Sequence, residues 1–167
     1  MNKELQNKLF EKYPKLFVQK DWTPSETLMC FGLTCGDGWY NIIDNLCKLI
    51  SEEVEDAPRR IEHAKAILEK TDISFKQREI FDNLLKTLES SRVEDVQVVQ
   101  VKEKCGTLSF YVNNYNEKIR AYIEFAGLMS GCTCETCGLP GKPTTSGWIK
   151  TMCSKCESER YKLKENK

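Results

Sequence analysis

Apolar residues recur every three or four positions along much of residues 1–89, which is the period of an α-helix. A short run from Leu5 to Tyr13 predicts a first helix, and Pro14 ends it. The stretch 15–37 that follows is irregular. A stronger stripe begins after Tyr40 and predicts an amphipathic helix with one buried face. Its apolar members are Ile42, Ile43, Leu46, Cys47, Leu49, Ile50 and Val54.

Ala57-Pro58 is predicted to end this helix, because proline lacks an amide donor and its ring clashes with the preceding turn. Two further helices are predicted over residues 59–70 and 75–89. Their outer faces are rich in charge, which favours a position on the surface of the domain.

The pattern changes after residue 92, where β-branched residues dominate. Five valines between Val93 and Val101 predict a strand, and Cys105-Gly106 predicts a turn. Apolar and polar residues then alternate through Leu108, Phe110 and Val112, which predicts the second strand of a β-hairpin. A last amphipathic helix through Ile119, Tyr122, Ile123, Ala126 and Met129 leads into a cysteine cluster.

The predicted fold is therefore α+β. Residues 1–129 form helices packed with a small antiparallel hairpin sheet, and residues 130–167 form a separate C-terminal module. The formal net charge is zero, with 25 basic and 25 acidic residues. This balance argues against a protein whose main task is to neutralise a phosphate backbone.

The opening segment, Met1 to Lys12, carries five charged side chains and does not resemble a signal peptide. No stretch of the sequence has the length and apolarity of a membrane span. These features predict a protein that is kept in a cytosol. In a reducing compartment, clustered cysteines more often hold a metal than form disulfides.

Four cysteines have the spacing of a zinc site. Cys134 and Cys137 form one C-x-x-C pair, Cys153 and Cys156 form another, and fifteen residues separate the pairs. Four thiolates complete the tetrahedral shell of Zn²⁺ and leave no position for a reactive water, so the predicted site is structural. Cys132 is a competing ligand, but only Cys134 gives the two-residue gap.

The residues between and after these pairs suit a hairpin followed by a helix. The predicted order is a cysteine turn, a hairpin, a second cysteine turn and a helix. This order is typical of a treble-clef or zinc-ribbon module, in which Gly138 supplies a left-handed turn beside the first pair. The module carries a net charge of +3 from Ser130 onward. The basic residues of the module, together with a tryptophan, could contact nucleic acid, but a basic face that is simply solvated is the favoured interpretation. These residues are Lys142, Lys150, Lys155, Arg160, Lys162, Lys164 and Trp148.

A glycine-flanked acidic loop, Gly36 to Tyr40, is a second candidate site. Asp37 could accept hydrogen bonds from a ligand while Trp39 or Tyr40 stacks on a base. The favoured alternative is that Asp37 caps the helix that follows and that both aromatic rings pack on the core.

Lys102 and Lys104 share one face of the first predicted strand and could together bind a phosphate. Charged residues are also common at any exposed hairpin tip, and that interpretation is favoured.

Catalysis has little support in the sequence. The only histidine, His63, lies in a charged helix with no serine or cysteine motif nearby.

Several longer motifs resemble small bacteriophage-encoded proteins of unassigned function, over most of the chain from Lys12 to Cys156. The matching segments are Lys12-Tyr13-Pro14-Lys15-Leu16-Phe17, residues 35–47, residues 101–111, Thr133-Cys134-Glu135, Cys137-Gly138, Pro140-Gly141 and Gly147-Trp148. The hairpin turn of these proteins usually carries Phe-Gly-Gly and an arginine before the final Phe-Tyr. Cys105, Thr107 and Ser109 stand in those places, which weakens any anion site built on that arginine.

The resemblance implies a phage origin and a cytoplasmic accessory role in the host cell, and it supplies no activity. The predicted function is non-enzymatic binding of a host protein, or sequestration of a small nucleotide near Asp37, Trp39, Tyr40, Lys102 and Lys104, as a form of counter-defence. The alternative is a nucleic-acid-binding zinc protein that acts in phage transcription or replication.

Overall fold

A computed structural model describes residues 1–70, 72–145 and 147–165, the last three without their side chains. Over these residues the chain is α+β. The helices are α1 (Lys3–Lys12), α2 (Tyr40–Leu68), α3 (Phe75–Ser90), α4 (Glu117–Ser130) and α5 (Ser154–Glu165). The strands are β1 (Leu33–Thr34), β2 (Val98–Lys104), β3 (Thr107–Val112), β4 (Lys142–Pro143) and β5 (Thr151–Met152).

The first helix follows its prediction. The side chain of Asn2 caps α1 by accepting a hydrogen bond from the amide of Leu5, and the helix ends at Lys12, before Pro14.

The predicted break at Ala57-Pro58 is wrong, because α2 runs through Pro58 without interruption. Its buried face continues past the proline through Ile61 and Ala64. Burial of that face offsets the local cost of proline in a helix, which is about 3 kcal/mol.

The helix α3 begins with a capping box formed by Ser74 and Gln77. It packs against α2, yet none of its residues is buried. The predicted surface position of this segment is therefore confirmed. Although α2 is 29 residues long, no helix within the described ranges has both the length and the apolarity needed to cross a bilayer.

The hairpin of β2 and β3 is confirmed, although β2 begins at Val98 and not at Val93. Cys105 and Gly106 form its two-residue turn with φ values of 51° and 80°. Both residues are left-handed, which is the geometry that matches the twist of paired strands. A third strand was not predicted: β1 pairs in parallel with β2, placing Leu33 beside Val101, so the sheet is mixed and not purely antiparallel.

The main core lies between this sheet and helices α1, α2 and α4. Its largest fully buried side chains are Trp39, Phe17, Leu9, Met29, Ile43, Ile50, Ile119, Val98 and Val101. Leu108 and Phe110, the inward residues of the predicted alternation, are buried as expected. The amino group of Met1 donates to the carbonyl oxygens of Leu33 and Cys35, so the N-terminus is joined to the segment that leads out of β1.

Candidate metal centre

The four cysteines predicted as ligands meet at the C-terminal end of the chain. Cys134 and Cys137 flank a tight turn, Cys153 follows β5, and Cys156 lies in the first turn of α5. Strands β4 and β5 pair antiparallel and bring the two halves together. The four sulfur atoms all lie within 4.8 Å of one another.

This geometry suits a single metal ion. Four thiolates arranged tetrahedrally about Zn²⁺ at about 2.3 Å have sulfur atoms roughly 3.8 Å apart. The Sγ atoms of Cys137 and Cys153 are separated by 3.7 Å. Burial raises the pKa of the Cys134 thiol, but hydrogen bonds from backbone amides, among them those of Cys153 and Cys137, outweigh it and lower the pKa to about 7. The donor set therefore favours a soft, thiophilic cation.

The backbone around the first pair is fixed locally. Gly138 has the predicted left-handed conformation, with φ of 78°, and its amide donates to the carbonyl oxygen of Cys134 at 2.9 Å. The amide of Cys134 donates in turn to the carbonyl oxygen of Leu139 at 2.7 Å. Cys132, the competing ligand, stays outside the cluster, where its exposed thiol donates to the carbonyl oxygen of Met129.

The cysteine turn is docked against the loop Gly36–Trp39. The amide of Gly36 donates to Oε1 of Glu135 at 2.9 Å, and the amide of Gly38 donates to the carbonyl oxygen of Glu135 at 2.8 Å. A Cβ atom on Gly38 would lie 2.2 Å from the carbonyl oxygen of Cys134. Backbone therefore meets backbone at this position, and only glycine leaves the space for it.

Trp39 completes the same contact. Its side chain is fully buried, and its indole Nε1 donates to the carbonyl oxygen of Thr133 at 2.8 Å. With both ring faces buried, the tryptophan has no surface to offer a ligand. This packing agrees with the favoured prediction that the aromatic residues of the loop belong to the core, and Tyr40, which is half-buried, also packs against it.

Asp37 does cap a helix, although not the predicted one. Its Oδ1 accepts from the amide of Asn2 at 2.6 Å, and its Oδ2 accepts from the side-chain amide of Asn2 at 2.7 Å. The aspartate thus fixes the start of α1, whereas α2 begins at Tyr40 and its N-cap residue, Trp39, makes no side-chain capping hydrogen bond. The capping prediction for α2 is wrong because the chain folds back and brings Asn2 to the loop, which local sequence does not encode.

The hairpin tip of β2 and β3 forms the second support of the cysteine module. The hydroxyl of Thr151 donates to the carbonyl oxygen of Gly106 at 2.7 Å, and the indole of Trp148 donates to Oε2 of Glu103 at 3.2 Å. Glu135 is buried and paired with Lys150, with 2.8 Å between Oε2 and Nζ. Glu135 was not among the predicted site residues, and its position between two candidate metal ligands is the signal that could have identified it.

The two lysines of the predicted ligand site lie on β2, beyond this contact. The Nζ atom of Lys102 lies 5.6 Å from the centre of the Tyr111 ring, a cation–π distance. Lys104 is exposed next to the turn. Ligand binding by Asp37, Tyr40, Lys102 and Lys104 stays a prediction.

Comparison with known proteins adds no relative from which a role could be transferred: no protein-family model, no curated protein and no solved structure matches this chain.

Proposed function

We propose that the protein is a non-enzymatic, zinc-stabilised accessory protein of a bacteriophage, which acts in the host cytoplasm by binding and inhibiting a host protein. The observation that carries this proposal is the four-cysteine cluster, which is wedged between the Gly36–Trp39 loop and the hairpin tip. A metal in that position holds a protein surface in shape. The phage origin rests on the sequence resemblance alone.

Zinc is the proposed metal because thiolates are the soft ligands that it prefers, and four of them fill its coordination shell. We assign the module to a treble-clef-like arrangement. A cysteine turn, a short hairpin and a helix that carries the last ligand follow one another in the chain. Such a shell has no open position for a water nucleophile, so the proposed role of the zinc is structural.

The surroundings of the only histidine also favour binding over catalysis. His63 lines a cleft between α2 and α3 together with Asp56, Arg59 and apolar residues of α3. Asp56 is paired with Arg59, and no serine, threonine or cysteine of the described chain lines that cleft. A His-dependent nucleophile therefore has no candidate partner at this position.

A groove between α2 and α4 supplies the proposed binding surface. It has a volume of about 320 Å³, and its apolar lining includes Leu49, Phe125 and Met129, with Asn41 and Asn45 as its polar members. Phe125 is 62% exposed, and Leu128 beside it is 74% exposed. Aromatic residues and methionine are enriched in protein interfaces, and an apolar centre with a polar rim is their usual anatomy. We therefore assign this groove to a host protein.

Phe125→Asp tests the assignment, with Phe75→Asp as a matched control. Phe75 is 84% exposed at the start of α3, away from the groove, so both variants place the same charge on the surface. Tagged proteins are used to capture partners from infected host lysate. We expect one host protein to be retained by the wild type and by Phe75→Asp and lost with Phe125→Asp.

Equal capture by both variants would contradict the groove assignment. Light scattering of the purified protein separates a second copy of this chain from a host partner. A dimer that Phe125→Asp dissociates would show that the groove is a self-association surface instead.

The alternative function, nucleic-acid binding by the zinc module, is favoured by one observation: Trp148 is 69% exposed among basic residues. Lys150 is already paired with Glu135, and the guanidinium of Arg160 contacts the carbonyl oxygen of Trp148. The side chain of Lys164 lies outside the described residues. Retention on DNA or RNA that falls steeply with salt and is lost in Trp148→Ala would support this alternative, and no retention at low salt would exclude it.

A further inference from the structure

A second cleft, remote from the cysteines in the sequence, lies between the middle of α2, the end of α3 and the start of α4. Its volume is about 620 Å³, within the range typical of small-molecule sites. Three cationic side chains, Arg60, Arg92 and Lys118, line it, against the two carboxylates Glu53 and Glu117. Glu117 is paired with Arg120 on its own helix. Arg92 is in turn paired with Glu94. The remaining charges are Arg60 and Lys118 against Glu53, so the cleft has an excess of one positive charge although the whole chain is neutral.

A buried carboxylate organises two of these cations. The side chain of Glu53 is 9% exposed, and its Oε2 accepts from Nη2 of Arg60 at 2.9 Å and from Nζ of Lys118 at 2.7 Å. Because both cations contact the same oxygen atom, they are held within two hydrogen-bond lengths of each other. The side-chain amide of Asn116 donates to Oε1 at 3.3 Å and fixes the carboxylate plane. One negative charge thus positions two positive charges.

The ionisation of this cluster is stable near neutral pH. Burial raises the pKa of Glu53, but hydrogen bonds from Lys118, Arg60 and Asn116 outweigh it and hold the pKa below its ordinary value. The hydrogen bond to Glu53 raises the pKa of Lys118. Glu53 and Lys118 therefore both stay charged, and the cluster keeps its net positive charge.

The cations retain unused donor capacity. The Nε atom of Arg60 is buried and has no hydrogen-bond partner among the described residues. A buried N–H group without a partner is destabilising, so an acceptor that reaches it is favoured. The side chain of Lys118 is half exposed. That of Arg92 is 41% exposed, and one of its terminal nitrogen atoms, Nη2, is paired with Glu94, which leaves its other donors for a ligand. Tyr115 also lines the cleft and is 53% exposed.

We propose that this cleft binds a phosphate-bearing small molecule of nucleotide size. Arg60, Lys118 and Arg92 contact the phosphate, since guanidinium and ammonium groups are the usual donors to phosphate oxygens. Tyr115 stacks on the base. This site goes beyond the proposed binding of a host protein. It also moves the predicted nucleotide site away from the Gly36–Trp39 loop, whose tryptophan is buried.

Calorimetry on the zinc-loaded full chain at low salt tests the proposal, with inorganic phosphate, AMP and ADP-ribose as probes and adenosine as the uncharged control. We expect AMP and ADP-ribose to bind more tightly than phosphate, and adenosine not to bind. No binding of any phosphate probe at millimolar concentration overturns the proposal. Tighter binding of a glutamate-rich peptide than of every phosphate probe assigns the cleft to an acidic protein segment and overturns it too.

Variants locate the binding. Arg92→Ala removes an exposed cation of the cleft and is expected to weaken AMP about tenfold, as loss of one charge-assisted hydrogen bond would. Arg59→Ala is the matched control, because Arg59 is next to Arg60 in α2 yet lines the other cleft. Equal weakening by both variants shows unspecific attraction and overturns the assignment. Tyr115→Ala is expected to weaken AMP while phosphate affinity stays unchanged.

Arg60→Ala would leave Glu53 short of a partner and could unfold the chain, so Glu53→Gln is the informative change at the cluster. It keeps the shape and removes the competing negative charge. We expect phosphate to bind several-fold more tightly, whereas a purely structural ion triad predicts no gain, and no gain overturns the proposal. Phe125→Asp should leave AMP binding unchanged, so this inference and the host-protein proposal can fail independently.

Discussion

The N-terminal body and the cysteine module are stabilised in different ways. The body buries a continuous apolar cluster that runs in sequence from Leu9 to Ala126 and contains side chains from three helices and the sheet. The corresponding cluster in the described part of the module consists of Cys134, Met152 and Cys156, with Cys153 packed against it. Three of these four residues are candidate metal ligands. The body is therefore held by hydrophobic burial, whereas the described part of the module has no comparable core, and the proposed metal would take its place.

The two regions meet mainly through hydrogen bonds in which at least one partner is a backbone group, and their apolar clusters are separate. Gly38 and Trp39 reach the cysteine turn, and Gly106 reaches Thr151. A change at the metal centre is therefore transmitted to a loop of the body that also caps α1 through Asp37.

Metal removal has the largest expected effect. Structural zinc binds to zinc-finger peptides with an apparent free energy of about 10–16 kcal/mol at neutral pH. Chelation should therefore unfold β4, β5 and α5 while the apolar core of the body persists. Elemental analysis together with amide NMR spectra checks this.

Cys134→Ser is expected to lose the metal, and Cys132→Ser should keep it, because the thiol of Cys132 lies outside the cluster. Metal loss in both variants would contradict the assigned ligand set.

Trp39→Ala comes next. Removing a fully buried tryptophan should cost about 3–5 kcal/mol of unfolding free energy, and the carbonyl oxygen of Thr133 would lose its donor. Urea denaturation with excess zinc measures the loss. Trp148→Ala is the control: the side chain is largely exposed, so we expect a loss of about 1 kcal/mol or less. Similar losses in the two variants would show that the loop does not join the regions.

Gly38→Ala is expected to cost about 1–3 kcal/mol, because the added Cβ would meet backbone atoms of Cys134, Cys137 and Gly138. Those atoms belong to the metal-binding turn, so faster release of zinc to a chelator should accompany the loss of stability. Gly127→Ala is the matched control. Its Cβ would make only an ordinary contact, 3.5 Å from the carbonyl oxygen of Leu108 in β3, and inside a helix such as α4 alanine is favoured over glycine by about 1 kcal/mol.

The smallest expected effect belongs to the ion pair between Glu135 and Lys150. A double-mutant cycle with Glu135→Gln and Lys150→Met should give a coupling free energy of about 1 kcal/mol, since Lys150 is one-third exposed and partly solvated. The coupling should shrink only slightly in high salt, because the carboxylate is buried. A coupling free energy of zero would mean that Glu135 acts only through its hydrogen bond to Gly36.

Local sequence predicted the features that depend on short-range geometry. The spacing of Cys134, Cys137, Cys153 and Cys156 predicted the cluster, and the alternation through Leu108 and Phe110 predicted the hairpin. The break at Pro58 was predicted from the local free-energy cost of placing a proline inside a helix. It failed because the buried face of α2 extends to Ala64, and this burial depends on distant partners.

Sequence by itself thus determined the helical faces, the hairpin with its two-residue turn and the four thiols, since these patterns are set by chain geometry over a few residues. Tertiary structure decided the pairing of β1 with β2, the role of the Gly36–Trp39 loop as a support for the cysteine turn, and the joining of Arg60 and Lys118 by Glu53. Apart from the pair of Glu53 and Arg60, which lie seven positions apart on α2, these contacts join residues that are tens of positions apart. Their partners are chosen by the packing of the whole chain, which no local pattern encodes.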